Sequence, residues 1–217
     1  MNPKSITEFL LGLGIGAIVF GAVWLALEFR YVPEPPGLPL SINTRAATVL
    51  SEPMTVPSFK LTDQHGQPFT EKNLQGQWTF LFFGYTYCPD ICPMTLAMLN
   101  QVVQQLQDTA VHPKVIFISV DPARDTTERL GQYVSYFNPA FLGVTGLEEE
   151  LQTLTRPLGI AYRRSNELSE NYLVDHSASI LLINPQAQLQ ALISPPHDAT
   201  AIAEDYRKII DVVVGRH

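Results

Sequence analysis

Two cysteines separated by three residues are the part of this sequence best suited to chemistry. Cys88 and Cys92 are the only cysteines among the 217 residues. The thiolate form of a cysteine is a nucleophile and a metal ligand, and two thiols this close can cycle through a disulfide. The alternative is a structural disulfide in an exported domain. Because so short a loop gives little chain-entropy stabilisation, a reactive thiolate pair is the favoured interpretation.

The cysteines lie between an expected strand and an expected helix. Residues 79–85 are apolar at odd and even positions alike, which is typical of a strand buried on both faces. Apolar residues at helical spacing follow from Met94 to Asp108. Since proline is tolerated at the first position of a helix, we expect this helix to begin near Pro93. Cys92 would then lie close to the N-cap, where the helix dipole should lower a thiol pKa.

The remaining elements alternate between strands and helices. They predict an α/β fold that is thioredoxin-like, with a central mixed sheet flanked by helices. The cysteine spacing differs from that of thioredoxin itself, whose motif has two intervening residues. In chain order we expect a hairpin over 59–63 and 67–70, a strand over 114–120, a helix starting at Asp125, a strand over 141–144, a helix over 147–154, a hairpin over 179–183 and 189–193, and a closing helix over 202–213.

The N-terminal part of the chain has a different composition. Phe9 to Leu27 is uncharged, apolar and about long enough to cross a bilayer as a helix. A cleaved signal peptide is the alternative, but the apolar stretch is long for one and no convincing cleavage site follows it. We therefore expect an N-terminal transmembrane anchor over residues 1–30, a proline-rich stalk over 31–55 and the thioredoxin-like domain over 56–217.

Charge predicts an orientation and argues against one class of partner. Lys4, which precedes the apolar stretch, favours a cytoplasmic N-terminus. The protein is therefore expected to span the inner membrane once, with its domain on the periplasmic side, where a dithiol can cycle through a disulfide. The formal net charge of −7 argues against a nucleic-acid partner.

Three motifs, in order along the chain, resemble those of the Sco/SenC family. They are residues 87–93 with the two cysteines, residues 119–126 (Ser-Val-Asp-Pro-Ala-Arg-Asp-Thr) and residues 175–178 (Asp-His-Ser-Ala). The resemblance covers essentially the whole domain, and the ordered set is far more specific than any one motif. Members of that family are membrane-anchored thioredoxin-fold proteins that bind copper through two cysteines and a distant histidine.

The resemblance implies that Cys88, Cys92 and His176 bind copper, and the chemistry of these side chains agrees. Two thiolates and one imidazole suit three-coordinate copper(I) and also tolerate copper(II), whereas zinc would need a fourth ligand or a water. By residue type alone His176 fits an ordinary loop histidine, so its assignment as a ligand comes from the resemblance. Oxidation of the two cysteines to a disulfide would release or block the metal.

The resemblance also implies a function, while the residues leave an alternative open. The family is implicated in assembling the dinuclear copper centre of cytochrome c oxidase, by delivering copper to the copper-accepting subunit, by reducing the cysteines of that subunit, or by both. The alternative is an enzyme, a thiol–disulfide oxidoreductase or thiol peroxidase that uses Cys88 and Cys92 as a catalytic dithiol. Only His176 separates the two hypotheses, because the enzyme would keep its turnover without it.

Several neighbouring residues have both a functional and a structural interpretation. Met94 and Met98 could supply thioether ligands, but such residues are more commonly core filler. Asp121 and Asp125 match the resembled segment, yet they also fit a strand-end turn and a helix cap. Asp175 could support the neighbouring histidine or be a solvated turn residue. For the other four histidines the structural interpretation is preferred.

Overall fold

Ten strands and four α-helices alternate along the residues that the structure, a computed structural model, describes, which are 42–165 and 172–215. The helices are α1 (Ile91–Gln105), α2 (Thr127–Phe137), α3 (Glu148–Thr155) and α4 (Ala199–Val214), and a short 3-10 helix covers Glu71–Leu74. The strands are β1 (Ala47–Thr55), β2 (Leu61–Asp63), β3 (Pro68–Phe69), β4 (Thr79–Gly84), β5 (Lys114–Ser119), β6 (Leu142–Thr145), β7 (Tyr162–Arg164), β8 (Val174–His176), β9 (Ile180–Ile183) and β10 (Gln188–Ile193).

Eight of the described strands form one mixed sheet in the order β1-β10-β9-β4-β5-β6-β2-β3. Strand β5 is parallel to β4 and to β6, and the other pairs in this sheet are antiparallel. The predicted central mixed sheet is therefore confirmed. Strands β7 and β8 pair only with each other, in a separate two-stranded sheet.

The central strands are buried on both faces, which fixes the centre of the sheet. Every residue of β4 is buried, including Phe80, Phe82 and Phe83, each with 0% exposure. Side chains of both parities can be buried only if both faces of the sheet are covered. Each of these side chains contributes about 1.5–3 kcal/mol through burial.

The three sequence motifs meet at one edge of this sheet. The cysteine segment follows β4 and the segment 119–126 follows β5, and because the two strands are parallel their carboxyl ends lie side by side. Strand β9 is antiparallel to β4, with Ile180 opposite Phe82. The residues before β9, including β8, therefore approach the same edge. The topology brings the cysteines and His176 together from distant parts of the chain.

Strand β1 begins before the domain boundary that the sequence analysis placed at residue 56. It pairs with β10 from Ala47 opposite Ile193 to Thr55 opposite Gln188, so these residues belong to the sheet rather than to the stalk. The carboxylate of Asp205 on α4 fixes the start of the strand, because it accepts backbone N–H groups from residues 45–47 at 2.7–3.0 Å. These partners are distant in sequence, so local patterns did not reveal them.

Two predicted helix starts were displaced, and one hairpin was not predicted. Helix α1 begins at Ile91, so Pro93 lies inside the first turn, where its missing N–H costs nothing. Helix α2 is capped by Thr126, whose hydroxyl accepts the N–H of Arg129. The cap role given to Asp125 was therefore wrong. The β7–β8 hairpin escaped notice because its strands are short and partly exposed.

The predicted membrane anchor lies outside the described residues. This applies to Phe9–Leu27 and to the stalk as far as residue 41. Within residues 42–165 and 172–215, none of the helices has the length and apolar character needed to cross a membrane.

Candidate metal and thiol site

Cys88, Cys92 and His176 form a compact cluster at the edge where β4 and β5 end. Cys88 lies in the loop after β4, Cys92 in the first turn of α1, and His176 at the end of β8. Their sulfur and nitrogen atoms lie within 4.8 Å of one another. The shortest approach joins Cys92 Sγ to His176 Nε2 at 3.2 Å. Residues 84 positions apart are thus placed close enough to share one ion.

The two cysteines are free thiols with unequal access to solvent. Cys92 is fully buried, whereas Cys88 is half-buried. The backbone N–H of Cys92 points at Cys88 Sγ from 3.4 Å, and the N–H of Cys88 donates to the carbonyl of Tyr85 at 3.2 Å. The start of α1 therefore offers an unpaired helix N–H group to Cys88. An incoming thiol or ligand meets Cys88 first.

The unequal environments separate the pKa values of the two thiols. A hydrogen bond from the Cys92 side chain lowers the pKa of Cys88 to about 3. Its effect is larger than the opposing effect of burial, and hydrogen bonds from His176 and from backbone N–H groups lower the pKa further. The same hydrogen bond and burial raise the pKa of Cys92 far above its usual value. The prediction of a lowered pKa at Cys92 was wrong, because helix position alone does not reveal which thiol is buried. Cys88 is the thiolate of the pair.

His176 is oriented with one ring nitrogen towards the cysteines. Its Nδ1 lies 3.1 Å from the carbonyl oxygen of Ser177. Since a carbonyl can only accept, Nδ1 carries a proton, and Nε2 is the ring nitrogen turned towards Cys92 Sγ. The rings of Tyr85 and Phe82 pack edge-on against the imidazole, with centroids 5.9 and 6.2 Å away. This orientation and packing present Nε2 as a metal ligand.

Asp125 holds the loop between β4 and Cys88 in place through hydrogen bonds to Thr86. Its buried carboxylate accepts hydrogen bonds from the N–H of Thr86 at 2.9 Å, from the Thr86 hydroxyl at 2.6 Å and from the Ser119 hydroxyl at 2.5 Å. Burial raises the pKa of Asp125, and these hydrogen bonds oppose the rise. This role of Asp125 could not be predicted from the sequence, because no local pattern marks Thr86 as its partner.

The neighbouring candidates are less involved. Met94 is 59% exposed, so its interpretation as core filler was wrong, whereas Met98 packs against the core. The Asp175 side chain is 71% exposed and lies 4.0 Å from Arg163, which fits the solvated alternative. Within the described residues the cluster of metal-ligating groups consists of Cys88, Cys92 and His176.

The comparisons with known proteins all match this chain to members of one family. The SCO1/SenC family model matches residues 48–211. A mitochondrial SCO2 homolog of Bos taurus is 37% identical over 210 residues, which is 95% of this chain and 76% of the relative. The crystal structure of Arabidopsis thaliana ScoI with copper bound has a TM-score of 0.69 and 36% identity, and covers 73% of this chain and 99% of that chain. Bradyrhizobium japonicum ScoI with copper bound has a TM-score of 0.64 and 32% identity, over 71% of this chain and 99% of that one.

Proposed function

The chain belongs to the SCO1/SenC family, and we propose that it binds one copper ion through Cys88, Cys92 and His176 during the assembly of cytochrome c oxidase. The solved structures of Arabidopsis thaliana ScoI and Bradyrhizobium japonicum ScoI have copper bound, and the Sco family is described as one of cytochrome c oxidase assembly proteins. The observation that carries the proposal is the convergence of the three ligand atoms within 4.8 Å.

The donor set fits copper better than zinc. Two thiolates and an imidazole are ligands that copper(I) accepts in three-coordinate sites, whereas structural zinc takes four. Cys88 is already a thiolate at neutral pH, because its pKa is lowered to about 3. Cys92 carries the proton that the site must lose on binding, so copper uptake releases a proton.

The exposure of Cys88 supports transfer by ligand exchange. Because Cys92 is fully buried, a thiolate of the copper-accepting oxidase subunit would approach the ion from the Cys88 side. If the acceptor's ligands replace those of this protein one at a time, the copper ion stays bound to protein throughout the transfer. We place this exchange on the periplasmic side of the inner membrane, with residues 1–30 as the single-pass anchor and 31–41 as the stalk, since Ile42 and Ala46 already pack against the core of the domain.

The same thiols support a second candidate function, reduction of the acceptor's cysteines. The Cys88 thiolate would attack an acceptor disulfide to give a mixed disulfide, and Cys92, after losing its proton, would displace the second acceptor thiol. Two electrons pass from the two cysteines to the acceptor, whose released sulfurs take one proton from Cys92 and one from solvent, and a Cys88–Cys92 disulfide is left. The half-exposed Cys88 beside the buried Cys92 favours this candidate, which needs no histidine ligand.

An anaerobic copper(I) titration of the reduced full chain against a competing chelator tests the copper proposal. We expect one tightly held copper per chain, and an affinity more than about 100-fold lower in His176→Ala, since even outer-sphere partners of metal ligands contribute about 10- to 100-fold. His65→Ala, which alters an exposed turn residue, should bind like the wild type. Equal affinities in the wild type and His176→Ala would contradict the ligand assignment and leave the reductase function as the better account.

A further inference from the structure

We propose that Arg124 is a positioning residue that holds the segment carrying His176 against the cysteine loop. This inference rests on the proposed copper function of the site. It starts from the isolation of β8, which pairs only with β7 and makes no ladder with the main sheet among the described strands. The chain leads from His176 into β9, which pairs with β4, but residues 177–179 between them belong to no strand, so side-chain contacts are left to fix the position of His176 against the cysteine loop.

Arg124 makes that connection on the histidine side through Tyr172, which precedes β8. The Nη1 group of Arg124 donates to the backbone carbonyl of Tyr172 at 2.9 Å. Its guanidinium carbon lies 3.5 Å from the centroid of the Tyr172 ring. The arginine thus binds the backbone and the ring of the same residue, four positions before His176.

The same guanidinium reaches the cysteine loop. It lies 4.7 Å from the ring centroid of Tyr87, the residue before Cys88, and 5.7 Å from that of Tyr85. The Tyr85 ring in turn packs edge-on against the imidazole of His176. Because cations are attracted to the faces of aromatic rings, more so when desolvated, Arg124 draws the two segments together. Its side chain is only 14% exposed.

Asp121 anchors the arginine to the rigid centre of the sheet. It lies just after β5, and its side chain is fully buried. One carboxylate oxygen of Asp121 accepts a hydrogen bond from Nε of Arg124 at 2.6 Å, and the other accepts one from the Tyr172 hydroxyl. The position of Tyr172 is thus set from the end of β5, beside β4, the strand that precedes the cysteines.

This arrangement requires an arginine. The planar guanidinium uses one edge for Asp121, another for the carbonyl of Tyr172 and its face for the rings, whereas a lysine ammonium has no such geometry. A lysine at this position would keep the charge and lose the orientation. Loss of Arg124 should therefore loosen His176 relative to the cysteines without altering any ligand.

The test measures copper(I) affinity by chelator competition in the reduced full chain of Arg124→Lys and Tyr172→Leu, each alone and combined with His176→Ala. Thermal unfolding of the metal-free proteins shows whether each variant folds. We expect affinities about 10- to 100-fold below the wild type in the single variants. With His176→Ala already present, either change should cause no further loss, because the ligand that it positions is gone. Arg156→Ala, which removes an exposed arginine of the α3 end, should bind like the wild type.

Wild-type affinity in both single variants would overturn the proposal, and so would an equal loss in the presence and absence of His176. If Arg124→Lys does not fold, Tyr172→Leu decides the question, because Tyr172 is partly exposed and packs only at the margin of the core, where leucine keeps an apolar side chain. Failure of the copper function itself gives a different pattern, in which the wild type and His176→Ala bind alike, and the Arg124 proposal falls with it.

Discussion

In the Cys92→Ala variant, alkylation of Cys88 by iodoacetamide is expected to depend steeply on pH, rising about tenfold per pH unit below about pH 8. The reduced, metal-free wild type should react at a nearly constant rate from about pH 5 upwards. The reason is that the Cys92 thiol donates a hydrogen bond to Cys88 and lowers the pKa of Cys88 to about 3. A thiol with a lowered pKa is a thiolate at every pH above that value, and alanine removes the donor, so the pKa returns towards about 8.5.

The matched variant for this experiment is Cys92→Ser, which keeps a donor at the same position. A hydroxyl can still donate to the Cys88 thiolate, so alkylation should stay much less pH-dependent than in Cys92→Ala. Mass spectrometry of the wild type should find the label on Cys88 well before Cys92, because Cys92 is buried and protonated. A wild-type profile with the midpoint of an ordinary thiol would refute the assigned thiolate.

Gly84→Ala is expected to damage the fold and the site together. A Cβ atom at Gly84 would lie 2.6 Å from Cys92 Sγ and 2.8 Å from the ring of Phe117. Both side chains are fully buried, so neither can move without disturbing the core. Overpacking of this kind costs about 1–3 kcal/mol. We expect a loss of that size in the free energy of unfolding, measured by urea denaturation of the metal-free protein, and weaker copper binding because the Cys92 sulfur is displaced.

Gly131→Ala is the control for this change. Gly131 lies within α2, and its nearest neighbour to an added Cβ is Gln64 Cβ at 3.6 Å, an ordinary contact. Replacing a helical glycine by alanine should stabilise the protein by about 0.5–1 kcal/mol. Gly84→Ala with wild-type stability and copper affinity would show that the contact between β4 and Cys92 is not as close as described.

The elements that were predicted correctly are those with strong local patterns. Residues 79–85 and 114–120 carry continuous apolar runs, and the structure contains β4 and β5 there. Strand β1 and the β7–β8 hairpin were missed because they depend on partners distant in sequence, such as Asp205 for the start of β1. The membrane anchor stays a prediction, since its residues lie outside those described.

The residues of the site likewise divide into those that a local sequence pattern reveals and those that depend on distant parts of the chain. Cys88 and Cys92 could be singled out because they are the only cysteines. His176 was found through the family resemblance, since no local pattern distinguishes it from the other histidines. The unequal pKa values and the contacts of Arg124 depend on burial and on distances between separate segments, which a sequence pattern does not contain.

X-ray absorption at the copper edge of the full chain, loaded anaerobically with one equivalent of copper(I), tests the central claim most directly. The account predicts two sulfur atoms and one nitrogen bound to the ion, with the nitrogen lost in His176→Ala. A spectrum without sulfur, or one in which the His176→Ala change leaves the nitrogen in place, would contradict it.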